Sequence, residues 1–201
     1  NKGVELTVET RNIVKPKFSW STSLTLSHNK QMVEDIGSED FVSAMNSPGN
    51  SQYMMYGYVK GRPLNALWGF KYGGVWHNQE EIERNKVTNT YVSATTSLSP
   101  GLPRYIDTNN DGSLDQKDLV YLGNADPTIY GGLQNTFNIG QLKVGVYFAY
   151  SLGGKIYNYS ELYMAGTYSS NQYRYMANSW HPVRNPDSDL PRAGAVQVHV
   201  P

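Results

Sequence analysis

The chain has 201 residues with 17 basic and 17 acidic side chains, so it carries no net charge, and it contains no cysteine. This length suits one domain or two, the neutral balance gives no electrostatic case for nucleic acid, and the lack of cysteine excludes disulfides and thiolate metal sites. No apolar run approaches the roughly 18 residues of a membrane helix, and no signal stretch opens the chain. Because it starts at Asn1 inside an apparent strand, we interpret the sequence as a piece of a longer protein.

The first predicted element is a β-hairpin over residues 1–30. Apolar and polar residues alternate with a period of two, which predicts strands over residues 4–13 and 18–27 with a break between them. The apolar positions are Val4, Leu6 and Val8 in the first strand and Phe18, Trp20, Leu24 and Leu26 in the second.

A long excursion over residues 31–129 follows. Short helices are predicted to begin after Ser38, at Glu39 and Asp40, and after Asn78, at the acidic run that includes Glu80, Glu81 and Glu83. We interpret that run as a solvated helix start and not as an acid–base pair. The segment 61–76 is dense in glycine and aromatic residues, and glycines in strands mark bulges, so this piece is predicted to bend.

The most specific motif of the chain is the acidic stretch 107–118, D-T-N-N-D-G-S-L-D-Q-K-D. A twelve-residue calcium loop needs oxygen ligands at positions 1, 3, 5, 7, 9 and 12 and a glycine at position 6, which here is Gly112. The predicted metal ligands are Asp107, Asn109, Asp111, Ser113 (through its carbonyl), Asp115 and Asp118. Aspartate at position 12, in place of glutamate, indicates a weak structural site, roughly 0.1 to 1 mM. The alternative is a solvated loop of Asx turns without an ion.

A second predicted hairpin occupies residues 130–152. Strands are predicted over residues 131–139 and 142–151, joined by a tight turn at Gly140 and Gln141. The residues of one face are Leu133, Asn135, Phe137 and Ile139 in the first strand and Leu142, Val144, Val146 and Phe148 in the second.

The last region, residues 153–201, is predicted to be another long loop. Tyr173, Met176, Ala177 and Trp180 fall at helical spacing and predict a one-faced helical stripe, which is more often local core than a ligand site. Tyr72, Trp76 and the tyrosines after Tyr157 could stack on sugars, and packing explains them equally well.

The four predicted strands suit two architectures. Strands that are apolar on one face and polar on the other form either a half-buried soluble sheet or the wall of a membrane barrel. The very short turns within the hairpins and the long excursions between and after them match an outer-membrane barrel. Phe18 and Trp20 would then belong to an aromatic girdle, although core aromatics at a strand start are equally ordinary.

Enzyme motifs are not found. His28, His77, His181 and His199 lie far apart without acidic partners at ligand spacing, and no phosphate loop or nucleophile elbow occurs. We therefore predict that the chain is not an enzyme.

Several short motifs follow one another along essentially the whole chain. They are N-K-G-V-E-L from Asn1, F-S-W-S-T-S from Phe18, G-R-P-L and W-G-F-K-Y-G-G-V-W within 61–76, R-Y-I-D-T-N-N-D-G-S-L-D from Arg104, I-Y-G-G-L-Q-N-T-F from Ile129, K-I-Y-N from Lys155 and W-H-P-V-R-N-P-D-S-D-L-P-R-A from Trp180. Together they resemble SusC/RagA-type TonB-linked outer-membrane transporters.

This resemblance implies a segment from the C-terminal half of a 22-stranded transmembrane β-barrel, surrounded by outer-membrane lipid, with its long loops facing the cell exterior. It implies import of glycans, or in some members peptides, in Bacteroidetes, together with a SusD-like surface lipoprotein. The plug and the TonB box, through which TonB acts, lie outside this sequence. The family's acidic loop is calcium-loop-like, and Asp107, Asn109, Asp111, Asp115 and Asp118 fall on it.

Two hypotheses result. The first is a fragment of such an importer, mainly β, whose structural calcium loop holds the base of an external loop in one shape. The second is a soluble, calcium-stabilised β-sandwich that binds a carbohydrate or protein and buries Leu6, Leu24, Phe137 and Val146 in one core.

Overall fold

A computed structural model describes residues 1–38, 42–43, 57–85, 88–89, 98–165 and 171–194. It is mainly β-structure with antiparallel pairing, as predicted, and the chain divides into two compact units. Unit 1 comprises Asn1–Met45, Tyr56–Leu67 and Leu122–Ile156, and unit 2 comprises Asn46–Met55, Trp68–Tyr121 and Tyr157–Pro201.

The described elements are mostly short strands. The strands are β1 (Lys2–Lys15), β2 (Phe18–Lys30), β3 (Val42–Ser43), β4 (Gly57–Tyr58), β5 (Ala66–Phe70), β6 (Tyr72–Val75), β7 (Thr88–Asn89), β8 (Pro103–Tyr105), β9 (Ser113–Leu114), β10 (Leu119–Asn124), β11 (Ile129–Ile139) and β12 (Leu142–Leu152). The helices are α1 (Gln79–Arg84), α2 (Tyr159–Met164) and two 3₁₀ helices at Gln116–Asp118 and Arg174–Asn178. None of the described helices has the length and apolar character needed to cross a membrane.

The four long strands form one sheet in unit 1, in the order β1-β2-β11-β12. Both predicted hairpins are confirmed, and β2 pairs antiparallel with β11, which joins the two hairpins side by side. In this register Leu24 lies opposite Val8 on one side and Leu133 on the other, so the apolar positions of neighbouring strands fall in common rows.

The apolar face of the sheet is exposed. Leu6 is 52% exposed and Val146 37% exposed, and Leu24 and Phe137 are only partly buried. The common core that the β-sandwich hypothesis predicts for these four residues therefore does not form, because no described strand packs over them.

A hydrogen-bonded polar cluster interrupts the apolar face near the turn end of the sheet. Asn12 is the unpaired residue at the register shift between Arg11 and Ile13, and its Nδ2 donates to Thr22 Oγ1 at 2.6 Å. Thr22 Oγ1 in turn donates to Asn135 Oδ1 at 2.8 Å, and Trp20 Nε1 donates to the same oxygen at 3.0 Å. The polar side chains on this face thus satisfy one another within the sheet.

Two adjacent glycines in β11 make room for two tyrosines of β12. A Cβ at Gly131 would lie 2.0 Å from the Thr25 carbonyl oxygen, and one at Gly132 would lie 2.5 Å from the hydroxyl of Tyr147. On the apolar face, Tyr150 donates its hydroxyl to Thr25 O at 2.6 Å. Aromatic rings that cover glycines restore the packing that a missing side chain would leave open.

The segment 61–76 bends, as predicted. Its strands β5 and β6 are separated by Lys71 alone, and they pair with different partners, β10 and β8 respectively. Gly74 has φ 89°, a conformation that only glycine adopts without strain.

The helix predictions have mixed outcomes. Helix α1 is confirmed, and Asn78 caps it by accepting a hydrogen bond from Glu81 N at 2.8 Å. The helix start predicted at Glu39 and Asp40 lies outside the described residues. The predicted one-faced stripe of residues 173–180 is wrong as an α-helix, because only a 3₁₀ helix forms there and Ala177 is exposed while Met176 and Trp180 are buried.

A hydrophobic cluster of Trp76, Ile82 and Leu102 lies in unit 2, with Tyr72 and Leu98 packed against it. Among the described residues, no hydrophobic side chain of the four long strands is buried. The buried hydrophobic residues are Val33, Ala66, Leu67, Trp68, Val75, Trp76, Ile82, Leu102, Leu114, Ala165, Met176 and Trp180.

Candidate functional site

The acidic loop of residues 107–118 lies between β8 and β10 in unit 2. Asp118 is its anchor: it has no exposed surface, and its Oδ1 accepts hydrogen bonds from Thr108 N at 2.8 Å, Thr108 Oγ1 at 3.2 Å and Asn109 N at 3.4 Å. Its Oδ2 accepts from Asp115 N at 2.9 Å. Burial raises the pKa of this carboxyl, but the hydrogen bonds from Asp115, Thr108 and Asn109 outweigh burial and hold the pKa below its ordinary value of 3.8.

The first aspartate of the loop shapes the turn. Asp107 Oδ1 accepts from Asn110 N at 2.7 Å, and its Oδ2 accepts from Gly112 N at 2.8 Å. Asn110 and Gly112 have φ 58° and 83°, so the chain reverses sharply at the position where the calcium motif requires glycine. Asn is one of the few residues with a side chain that tolerate this region.

The middle of the loop consists of short side-chain-to-backbone turns. Asn109 Oδ1 accepts from Asp111 N at 2.9 Å, and Asp111 Oδ1 accepts from Ser113 N at 2.9 Å. Asp115 Oδ1 accepts from Lys117 N at 2.8 Å. Asp115 and Asp118 also form a reciprocal capping box, in which the side chain of each accepts from the backbone N–H of the other. Leu114, between Ser113 and Asp115, is buried with 3% of its surface exposed.

The six predicted ligand residues supply only oxygen atoms, which is the ligand type that calcium prefers. In the described conformation, side-chain oxygens of the five Asp and Asn ligand residues accept hydrogen bonds from backbone N–H groups of the loop. Among the described residues, no three His, Asp or Glu side chains converge to hold a metal ion. The donor set therefore fits calcium in chemistry, and binding would require Asp107, Asp111 and Asp115 to turn toward one another.

Glu81 has a structural role that the sequence did not reveal. Its Oε1 lies 3.1 Å from Arg104 Nη1, and its Oε2 accepts from His77 N at 2.9 Å. Arg104 also donates through Nε and Nη2 to Gly73 O, at 3.0 and 2.8 Å, and lies over the Trp76 ring. The interpretation of this acidic run as a solvated face is thus wrong for Glu81.

The aromatic residues considered for sugar stacking have packing roles where they are described. Trp76 is 5% exposed in the hydrophobic cluster. Tyr72 donates its hydroxyl to Asp189 O at 2.5 Å, and burial, followed by the neighbouring Tyr105 and Asp189, raises its pKa well above the ordinary value. The buried Trp76 ring therefore offers no open face for a sugar, and the Tyr72 ring packs edge-on against Tyr105.

The three described histidines do not assemble into a site. A ring nitrogen of His28 lies 2.6 Å from Thr128 O, and His77 pairs with Glu81 at 3.5 Å. His181 Nδ1 accepts hydrogen bonds from Val183 N and Arg184 N. His199 lies outside the described residues.

Comparison with known proteins gives two curated relatives. No family model matches the chain. "TonB-dependent receptor P26" of Formosa agariphila is 32% identical over 206 residues, covering 98% of the chain and 19% of the relative. "TonB-dependent receptor P3" of the same organism is 26% identical over 197 residues, covering 96% of the chain and 18% of the relative. The chain thus spans about a fifth of the length of the curated relatives it matches.

Solved structures agree at the level of the fold. "Structure of the RagAB peptide transporter" matches with a TM-score of 0.65 at 15% identity, covering 98% of this chain and 20% of that one. A RagAB peptide importer in the "open-open" state matches with a TM-score of 0.63 at 14% identity, covering 98% of this chain and 19% of that one. The resemblance to SusC/RagA-type transporters is therefore confirmed: over nearly its whole length the chain is similar to a segment of TonB-dependent receptors.

Proposed function

We propose that the chain is a segment of a TonB-dependent outer-membrane importer and that its four-stranded sheet is part of the wall of a 22-stranded barrel. The observation that carries this proposal is the exposed apolar face of the sheet, on which Val4, Leu6 and Phe148 are 67%, 52% and 59% exposed. In water such a face is costly, and against lipid it is favourable. The similarity to TonB-dependent receptors over 98% of the chain supports the same conclusion.

The dimensions and hydrogen bonding of the sheet support this proposal. Its strands have 11 to 14 residues, and a tilted strand needs about 9 to 11 residues to cross a bilayer. On the apolar face, the polar groups of Trp20, Thr22 and Tyr150 all find partners within the sheet. Lipid offers no hydrogen bonds at this depth, so internal partners remove a penalty that would otherwise oppose insertion.

The excursions 31–129 and 153–201 become external loops in this proposal. A SusD-like surface lipoprotein is the proposed partner, because a matching structure is named as the RagAB peptide transporter and the resemblance to SusC/RagA-type transporters implies such a partner. The proposed cargo is an oligosaccharide or a peptide, and TonB acts through parts of the protein outside this sequence. The hydrogen-bonding roles of Glu81 and the histidines give no support to an enzyme.

Lipid contact tests the wall assignment. A fluorescent label placed at Leu24 or Val146 of the full-length protein in liposomes is expected to be quenched by nitroxide-labelled lipid chains, since both residues lie on the apolar face. A label at Ser23, the neighbour of Leu24 on the opposite face, is the matched control and is expected to escape quenching. Equal quenching of Leu24 and Ser23, or none at either residue, contradicts a barrel wall.

We also propose that the loop 107–118 binds calcium as a structural cofactor. Asp107, Asn109, Asp111, the Ser113 carbonyl, Asp115 and Asp118 would hold the ion, which would supply the positive charge that four aspartates require. The oxygen-only donor set and the sharp turn at Gly112 support this proposal.

Thermal melts of the full-length protein test calcium binding. Calcium at about ten times its dissociation constant is expected to add about 1.4 kcal/mol of stability by mass action. Asp111→Ala is expected to abolish the rise in Tm, and Asp187→Ala, an exposed aspartate outside the loop, is expected to retain it. A Tm that does not change with calcium from 0 to about 10 mM contradicts the proposal.

A further inference from the structure

The apolar face of the sheet ends in a lysine where the strands reach their turns. Paired residues of neighbouring strands share a face, and the pairing places four residues in one row, which we name the Lys15 row: Lys15, Phe18, Ile139 and Leu142. The next row of this face is wholly apolar and consists of Ile13, Trp20, Phe137 and Val144. At the other end of the same face, Lys2 lies opposite Lys30. Among the described residues of this face, no Asp, Glu, Lys or Arg lies between the two lysine rows.

The spacing of the two lysine rows matches the thickness of a bilayer core. Strand β2 has 13 residues, from Phe18 in the Lys15 row to Lys30 in the other row. This is about 40 Å of extended strand. At a tilt of about 45°, which is typical of a barrel strand, the same length covers about 28 Å of depth, and the hydrocarbon core is about 30 Å thick. In the proposed barrel both lysine rows therefore lie at the level of the lipid headgroups.

The turn end of the sheet is the basic end. The strand halves next to the turns, residues 10–22 and 135–147, have no acidic residue, and their basic residues are Arg11, Lys15, Lys17 and Lys143. The other halves are balanced, because Lys2 and Lys30 are matched by Glu5 and Glu9. The turn end therefore has an excess of positive charge that the rest of the sheet does not have.

Two of these basic residues lie where lipid would reach them. Lys15 is on the apolar face, and Lys17 lies in the turn, where its carbonyl accepts from Gly140 N at 2.9 Å and so joins the two turns at one level. Both lysines are exposed, and neither forms an ion pair with a described residue. Lys143 is on the opposite face, because it pairs with Asn138, the neighbour of Ile139.

A lysine at the rim of an apolar face suits a lipid phosphate. Its apolar stem packs along the lipid chains while its ammonium group reaches the headgroups. Trp20, in the neighbouring row, stacks on Phe137 with ring centroids 5.8 Å apart, and tryptophan is enriched at the same depth of a membrane. Beside the lysine, Ile139 and Leu142 are 50% and 60% exposed, so the row offers an apolar surface next to the charge.

We propose that Lys15 and Lys17 form a contact site for anionic phospholipid headgroups. The lipid phosphate faces the two ammonium groups, and the acyl chains lie on Phe18, Ile139 and Leu142. This inference rests on the proposed function, which supplies the bilayer, and it adds the class of lipid and the residues that select it.

Quenching by brominated lipids tests the inference. The full-length protein carries one fluorescent label at Leu142 in the Lys15 row, and it is reconstituted in phosphatidylcholine vesicles. An equal fraction of brominated phosphatidylglycerol or of brominated phosphatidylcholine is then included. The anionic lipid is expected to quench the label more strongly, and Lys15→Gln is expected to lower its relative association constant about fivefold, the effect of one basic residue at a membrane surface.

Two further variants separate a lipid contact from a general effect of charge. Lys143→Gln, the matched control at the same end of the sheet but on the opposite face, is expected to keep the preference for phosphatidylglycerol. Lys15→Arg keeps the charge and is expected to keep the preference as well. Equal losses in Lys15→Gln and Lys143→Gln, or a loss in Lys15→Arg as large as that in Lys15→Gln, overturn the inference.

The quenching also separates this inference from the proposed function. If both lipids quench the label of the wild-type protein equally, the lysines face water or another protein, and the inference is overturned while the barrel wall remains supported. If neither brominated lipid quenches the label, the acyl chains do not reach the apolar face, and the wall assignment is wrong together with the inference.

Discussion

The four-stranded sheet and the loop-rich unit 2 differ in which of them buries hydrophobic side chains. The four-stranded sheet of β1, β2, β11 and β12 has continuous backbone pairing, yet among the described residues none of its hydrophobic side chains is buried. The loop-rich unit 2 has only short strands, yet it contains the cluster of Trp76, Ile82 and Leu102. In a soluble protein the sheet would be expected to carry the core.

This difference shows which part depends on its surroundings. Unit 2 buries its own apolar side chains and satisfies its backbone through side chains, as Arg104 does at Gly73 O. The sheet satisfies its backbone through its strands but leaves its apolar face for something outside the described chain. Regular secondary structure alone therefore does not show which part of a protein buries its own apolar side chains.

The largest expected effect is on the core of unit 2. Trp76→Ala removes the central ring of the cluster and the surface against which Arg104 lies, so we expect a loss of about 3 to 5 kcal/mol in local stability. Phe148→Ala removes a ring that is 59% exposed on the sheet, and its cost in detergent is expected to be below about 1 kcal/mol. Hydrogen exchange of the full-length protein measures the loss of stability in both variants. Similar losses would contradict the conclusion that unit 2 has a buried core and the sheet does not.

A smaller effect concerns the buried carboxylate of the acidic loop. The pKa of Asp118 is lower in the folded protein than in the unfolded chain, so its ionised form stabilises the fold above about pH 4. This contribution is lost as the pH falls through the folded pKa, because the proton then binds the unfolded chain more readily. Asp118→Asn keeps the shape but loses the charge, and is expected to cost about 2 kcal/mol at pH 7.

Hydrogen exchange at Thr108 and Asn109 measures this effect between pH 7 and about pH 3. The wild-type protein is expected to lose protection of these amides at low pH beyond the loss seen in Asp118→Asn. Parallel pH profiles of the two proteins would mean that another carboxyl group dominates the acid sensitivity of the loop.

The sheet could be predicted from the sequence because the same alternation of apolar and polar residues recurs in each of its strands. A period of two runs through all four strands, and the tight turn at Gly140 and Gln141 fixes the second hairpin, so the strand bounds differ by only a few residues from those observed. The sharp turn at Gly112 could be predicted for a similar reason, since the calcium motif requires glycine at that position, whereas calcium binding stays a prediction.

Other features depend on contacts between residues far apart in the chain. Nothing near Glu81 in sequence indicates that Arg104 pairs with it, because 23 residues separate the two. The α-helix predicted from the stripe at residues 173–180 was wrong, because the backbone N–H of Trp180 donates to Leu190 O and not to a carbonyl of a helix. The rings that lie close to Gly131 and Gly132 belong to Tyr150 and Tyr147 of the neighbouring strand β12, so this packing depends on the pairing of β11 with β12.

The smallest expected effect distinguishes the two faces of the sheet. Tyr150, on the apolar face, donates its hydroxyl to Thr25 O at 2.6 Å, whereas Tyr147, 66% exposed on the opposite face, makes no hydrogen bond with the described residues. If lipid covers the apolar face, the Thr25 carbonyl has no water to replace a lost partner. Tyr150→Phe is therefore expected to cost about 1 kcal/mol in liposomes, and Tyr147→Phe close to nothing. Exchange of the Gly131 and Gly132 amides measures both variants, and a Tyr150→Phe cost that disappears in lipid would show that water reaches the apolar face.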